Sequence, residues 1–283
     1  MIKIRRASSL ASLLLVLSCA SPPPAPPEPE TGVVRVPLDL EQGMAWVNAS
    51  AYGRPLRLLL DLGGFDAVAL VPEALKEIPA GWSGRERETF SAMGEKARAR
   101  EFILGEFELG GIRFAEVRGF EDLLQGKYRA KSRSGYLGLG VLRLFKIIID
   151  YPARKLVLIW PDAATPAGYD VANWPTTSFE RGNDGVLTRA RVDGAERVLV
   201  WDTGASHCVL KSGLQGKADV RTSGDQQFVT ANSFEVAGLE AGPMDFALLD
   251  FKQPKADGFI GFSFSVKHAV YIDFRNRLLA VRP

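Results

Sequence analysis

The chain has 283 residues, 46% of them hydrophobic and 24% charged, and its 35 Lys and Arg nearly cancel 33 Asp and Glu to leave a formal charge of +2. That length allows two domains with self-supporting cores, while the balanced charge, with no polybasic block, argues against nucleic acid as a partner. Two cysteines and two histidines (His207 and His268) are too few for a disulfide framework or a Cys-rich or His-rich metal site, so neither metal nor cofactor is expected.

The chain opens with Lys3, Arg5 and Arg6 ahead of a run from Leu10 to Leu17 that is apolar except for Ser12, followed by Ser18 and Cys19. A basic head, a short apolar stretch and small residues read as an export signal over residues 1–18. The run is well short of the roughly 20 residues that span a bilayer. Val16-Leu17-Ser18-Cys19 resembles the bacterial lipobox. The resemblance implies cleavage before Cys19, acylation of Cys19 and a periplasm-facing lipoprotein anchored at the cell envelope, on the outer membrane; cleavage near Ala20 or Ser21 without acylation is the alternative. Residues 19–32 are a Pro-rich linker expected to be extended and to hold the body away from the membrane. The signal carries three positive charges and no negative ones, so its removal takes the body from +2 to −1.

Beyond the linker the sequence is one unit written twice. Tyr52 to Gly64 aligns with Asp193 to Ala205, so that Gly53 and Asp61 match Gly194 and Asp202 at a common offset of 141. In both copies a Gly turn leads into an apolar strand that ends in Asp-x-Gly. Gly135-Tyr136-Leu137-Gly138 then matches Gly258-Phe259-Ile260-Gly261, and Ile149-Asp150-Tyr151 matches Ile272-Asp273-Phe274, with 12 positions from Gly138 to Asp150 and from Gly261 to Asp273. Phe107 to Gly111 echoes Phe234 to Gly238. With 28 Gly and 17 Pro the chain suits short strands. Strands are predicted at Leu56–Leu60, Lys146–Ile149, Leu156–Trp160, Val198–Trp201 and Ala269–Ile272, and short helices at Val141–Phe145 and Phe264–His268. Lobes are expected over residues 33–160 and 177–283, joined by a linker over 161–176.

Asp202-Thr203-Gly204-Ala205-Ser206, preceded by Val198-Leu199-Val200-Trp201 and followed later by Phe259-Ile260-Gly261, resembles the active-site signature of the aspartic proteases of two-lobed, pepsin/retropepsin-like type. The resemblance covers most of residues 33–283. It implies a mainly β fold, with each lobe a closed or sandwich-like barrel carrying one or two short helices. It also implies an aspartic-type endopeptidase with Asp61 and Asp202 as the catalytic pair and Gly63, Gly64, Thr203, Gly204 and Ala205 supporting them. Two carboxylates sharing a proton supply the base that activates water and the acid that protonates the peptide carbonyl. The expected partner is a polypeptide in extended conformation, and the expected state is a monomer, because one chain carries both lobes.

The first copy departs from the family at two positions. Leu62 stands where Thr or Ser is usual, so Thr203 is expected to lack its symmetric hydroxyl partner and the site to be loosened. Gly64 and Ala205 lack an outer hydroxyl, which predicts fewer bonds to the ionised pair and activity extending toward neutral pH. Leu62 also admits an alternative, a catalytically weakened or inactive fold that binds extended peptides at the envelope. Hairpins over the cleft are expected at Thr89–Lys96 and Arg221–Phe228.

Other chemistry is disfavoured. Gly135-Tyr136-Leu137-Gly138-Leu139-Gly140 has Arg143 at the last glycine position of a dinucleotide loop and no βαβ pattern around it. Ser206 and His207, neighbours on an extended strand, would face opposite ways, leaving only His268 as a base. Cys208, beside Val209 and Leu210, reads as a buried thiol, and Asp150 and Asp273 as turn residues.

Overall fold

A computed structural model describes residues 3–5, 32–91, 94–124, 133–182, 185–216, 219–252 and 255–283. Cys19, the linker up to residue 31 and nearly all of the export signal lie outside them. Among the described residues no helix is long and apolar enough to cross a membrane.

Strands form where the apolar runs predict them, at Arg54–Leu60, Lys146–Asp150, Lys155–Ile159, Ala195–Trp201 and Ala269–Asp273. The internal repeat is also a repeat of topology. In the first lobe the strands Arg54–Leu60, Gly135–Leu137, Val68–Leu70, Val117–Glu121, Lys96–Leu104 and Gly81–Phe90 lie side by side in that order. In the second lobe the same places are taken by Ala195–Trp201, Gly258–Ile260, Cys208–Lys211, Met244–Leu249, Gln226–Ala231 and Val220–Ser223. Among the described residues each lobe's strand path is open and ends on an outer hairpin strand, rather than closing into a barrel.

The two short helices run over Leu139–Leu142 and Phe262–Ser265, two residues earlier than the apolar pattern suggests. Gly138 and Gly261 set that start. Each takes an extended N-cap conformation, and the next residue's N–H donates to the loop after the Asp-x-Gly: Leu139 N to Gly64 O at 2.8 Å and Phe262 N to Ala205 O at 2.8 Å. A β-carbon on Gly138 would sit 2.6 Å from Gly64 O, and one on Gly261 2.1 Å from His207 O. Only glycine lets these backbones cross so closely.

A third sheet joins the lobes. Its six strands run in the order Thr176–Ser178, Leu278–Val281, Ala269–Asp273, Lys146–Asp150, Lys155–Ile159 and Val33–Pro37. At its centre Ile148 pairs with Tyr271, its own counterpart in the repeat, and Lys146 and Asp150 pair antiparallel with Asp273 and Ala269. A strand paired antiparallel with its own repeat about equivalent residues defines a local two-fold axis. That axis turns two similar lobes toward each other. Asp150 and Asp273 close the turns after these strands: Asp150 Oδ1 accepts from Ala153 N at 3.0 Å, and Asp273 Oδ1 from Arg275 N at 3.0 Å and Asn276 N at 2.9 Å.

Candidate active site

Asp61 and Asp202 leave their strands at equivalent points. Leu137, the partner of Leu60 in the parallel pair, accepts from Asp61 N at 2.9 Å, and Ile260, the partner of Trp201, accepts from Asp202 N at 3.0 Å. The chain then turns sharply, so each Oδ1 accepts the N–H of the glycine two residues on: Gly63 N to Asp61 Oδ1 at 2.9 Å, and Gly204 N to Asp202 Oδ1 at 2.8 Å.

These glycines also locate the carboxylates relative to each other. A β-carbon on Gly63 would stand 3.0 Å from Asp202 Oδ1 and 3.2 Å from Asp61 Oδ1; one on Gly204 would stand 3.0 Å from Asp61 Oδ1 and 3.1 Å from Asp202 Oδ1. Both Oδ1 atoms therefore flank the same small space from opposite lobes. A methyl group at either position would fill it.

Thr203 bolts the loops together. Its Oγ1 donates to Leu60 O at 2.6 Å and accepts from Leu62 N at 2.9 Å, across the lobe boundary. Leu62 offers no hydroxyl in return, as expected, but Thr203 itself is not left unsatisfied by that loss. The hydroxyl bonds to backbone of the facing loop, so it is satisfied without a matching hydroxyl opposite. Leu62 itself is fully buried in the main apolar core.

The missing outer hydroxyl at Gly64 has a steric reason. A β-carbon there would lie 2.5 Å from Cε2 of Tyr136, whose ring occupies the space. The Tyr136 hydroxyl donates to Asp66 Oδ2 at 2.9 Å, and Arg87 forms an ion pair with the same oxygen. Burial, reinforced by the charges of Asp66 and Asp61, raises the Tyr136 pKa well above its ordinary value. Tyr136, Asp66 and Arg87 were not singled out from sequence; the available signal was that Asp66 and Tyr136 have His207 and Phe259 at their repeat positions.

Further out, burial lowers the Arg133 pKa to about 10, partly offset by the charge of Asp61, and Arg133 forms a buried ion pair with Asp122. Behind the second aspartate, burial raises the Tyr151 phenol, and the Asp202 charge adds to the shift.

Both expected hairpins form, as Gly81–Phe90 with Lys96–Leu104 and as Val220–Ser223 with Gln226–Ala231. Ala92 and Met93, within the first expected hairpin, lie outside the described residues. Gly94 reaches the opposite lobe: a β-carbon on it would be 3.1 Å from Cγ of Lys252. Phe65, next to Gly64, and Phe90, near the turn, are 43% and 57% exposed.

Ser206 Oγ lies 3.0 Å from Nδ1 of His207. The expectation that they face opposite ways fails because the segment is a bend, not an extended strand. His268 is occupied elsewhere: its ring stacks on Phe264 and its Nδ1 lies 3.0 Å from Arg282 O. Cys208 is buried, and burial pushes its thiol pKa up. Among the described residues no group of three or more His, Cys, Asp or Glu is placed to hold a metal ion.

In sequence the chain matches no family model and no curated protein. In structure it is similar to the aspartic proteinase from Irpex lacteus, with a TM-score of 0.61 at 12% identity, over 88% of this chain and 96% of that one. The fold is that of the pepsin-like aspartic proteinases. At this identity the likeness concerns the fold alone.

Proposed function

We propose that the chain is an aspartic-type endopeptidase in which Asp61 and Asp202 activate water for peptide-bond hydrolysis. The observation that carries this reading is the pair of Oδ1 atoms flanking one small space between Gly63 and Gly204. One carboxylate, ionised, takes a proton from water as the oxygen attacks the scissile carbonyl carbon; the other, protonated, gives its proton to the carbonyl oxygen. Collapse of the resulting diol breaks the C–N bond, and a proton passes to the leaving amine. The glycine N–H groups hold the carboxylates in place through both steps.

An extended polypeptide is the proposed substrate, lying between the lobes, with the first hairpin on one side. The protein is proposed to act as a monomer at the cell envelope, facing the periplasm and anchored through acylated Cys19. Leu62 supports a second reading, a peptide-binding protein of the same fold with weak or no turnover. Cleavage of an unfolded protein substrate from pH 3 to 8, by wild type, Asp61→Asn and Asp202→Asn, separates the two. We expect wild-type turnover and a loss of at least about a thousandfold in each variant, the scale set by removing one member of a catalytic unit. Absence of wild-type turnover, or full rate in a single variant, refutes the dyad.

A further inference from the structure

We propose that Asp66 is a positioning residue: through Tyr136 and Arg87 it fixes the loop that carries Asp61 to the outer strand of the first hairpin. The proposal deepens the endopeptidase reading, on which its kinetic consequences rest.

Three elements meet at the Asp66 carboxylate, which is only 8% exposed. Its own loop follows Asp61-Leu62-Gly63-Gly64. Tyr136 comes from the central strand, one residue before Leu137, whose carbonyl anchors Asp61 N. The ring of Tyr136 is wedged at Gly64 and packs with Met44, Trp46 and Leu59, so its hydroxyl has little freedom in where it points. Arg87 comes from the hairpin strand Gly81–Phe90, three residues before Phe90. Its guanidinium is held on a face as well as at its tip, since it lies 3.8 Å from the centroid of the Phe120 ring while pairing with Asp66.

A buried carboxylate that takes one hydroxyl and one guanidinium on the same oxygen is a charge-assisted junction with restricted geometry, unlike a solvated surface pair. The rest of that hairpin strand is largely exposed, and its other ion pairs, Glu86 with Arg98 and Glu88 with Lys96, stay within the hairpin. Arg87 is thus the contact by which the strand is referred to the active-site loop.

The second lobe has no such junction. The sequence offset puts His207 at the place of Asp66, the sheet register puts Ser206 there, and Phe259 stands for Tyr136 without a hydroxyl; Ser206 and His207 contact each other, and His207 the Phe228 ring. The brace therefore belongs to the lobe whose hairpin reaches across to Lys252. It also stands at the position where the outer hydroxyl is absent, so the loop after the first aspartate is held by Tyr136 packing and the Asp66 carboxylate.

The test uses the full chain as wild type, Asp66→Asn, Arg87→Met, the double variant, Arg87→Lys and Tyr136→Phe. Amide hydrogen exchange over residues 81–104 is measured together with kcat and KM on an unfolded protein substrate. We expect Asp66→Asn and Arg87→Met each to speed hairpin exchange and to raise KM by about tenfold, with kcat within about threefold, and the double variant to match either single, since coupled residues are non-additive. Arg87→Lys restores part of the protection, and Tyr136→Phe, which keeps the ring at Gly64, falls between wild type and Asp66→Asn. Unchanged hairpin exchange in the single variants, or effects that multiply in the double, overturns the proposal. A general loss of packing would instead lower protection outside 81–104, which also counts against it. Arg87 lies on an exposed strand, so Arg87→Met keeps the test open should Asp66→Asn not fold. Hydrogen exchange does not need turnover: a wild type without activity sinks the endopeptidase reading while leaving the brace decided by its own data.

Discussion

Replacing Thr203 by Val tests whether one hydroxyl holds the two active-site loops together. The side chain is 1% exposed and Val keeps its shape, so the perturbation is chiefly the loss of Oγ1. That atom donates to Leu60 O at 2.6 Å and accepts from Leu62 N at 2.9 Å. Removing it strands a carbonyl and an N–H beside fully buried Leu62, each costing about 1 to 3 kcal/mol when left unsatisfied. The added methyl returns about 0.8 kcal/mol through apolar burial. A net loss of about 1 to 5 kcal/mol follows, or on the order of 10 °C in Tm at about 2 to 4 °C per kcal/mol for a chain of this size. Because both bonds cross from one lobe to the other, thermal and denaturant unfolding should also become less cooperative. Thr203→Ser, which keeps the oxygen, should recover most of the loss. If Thr203→Val lies within about 0.5 kcal/mol of wild type, the range of an inconsequential surface change, the reasoning is refuted.

Four further outcomes are expected. Gly204→Ala would put a methyl 3.0 Å from Asp61 Oδ1 and 3.1 Å from Asp202 Oδ1, in the space the proposed mechanism assigns to water; we expect at least about a tenfold loss of kcat with the lobes still folded by circular dichroism, and an unaffected kcat would count against the shared-water geometry. Gly64→Ser should destabilise the chain through the 2.5 Å clash with Tyr136, and Tyr136→Ala in the same chain should relieve part of it, read as melting temperatures. Cys208 should resist thiol reagents until denaturant is added, because its thiol is buried with a raised pKa; rapid labelling located to Cys208 by mass spectrometry would contradict this. Hydrogen bonding from Arg100 holds the Glu121 carboxyl below its ordinary pKa, so this contribution to stability is complete above the unfolded value of about 4.3 and fades as the pH falls through the folded value. Arg100→Gln should therefore narrow the stability gap between pH 6 and pH 3, measured by denaturant unfolding.

The short apolar strands, the two copies at an offset of 141, and the aspartates and glycines that end equivalent strands in each copy follow from local patterns along the chain. These features are legible because alternation, turn residues and repetition are written along the chain. Long-range packing sets what the copies do to each other. Pairing of Ile148 with Tyr271 creates the two-fold relation that brings Asp61 and Asp202 to one space, and no local pattern marks that register. It decided that Thr203 is satisfied by backbone across the boundary, which a residue-for-residue comparison of the two motifs obscured. It also decided that Gly64 yields its space to Tyr136, and that Asp66 gathers Tyr136 and Arg87 from 70 and 21 positions away. Contacts at such separations depend on how strands stack and turn, a property of the whole sheet rather than of any segment, and that is why they lay beyond the sequence alone.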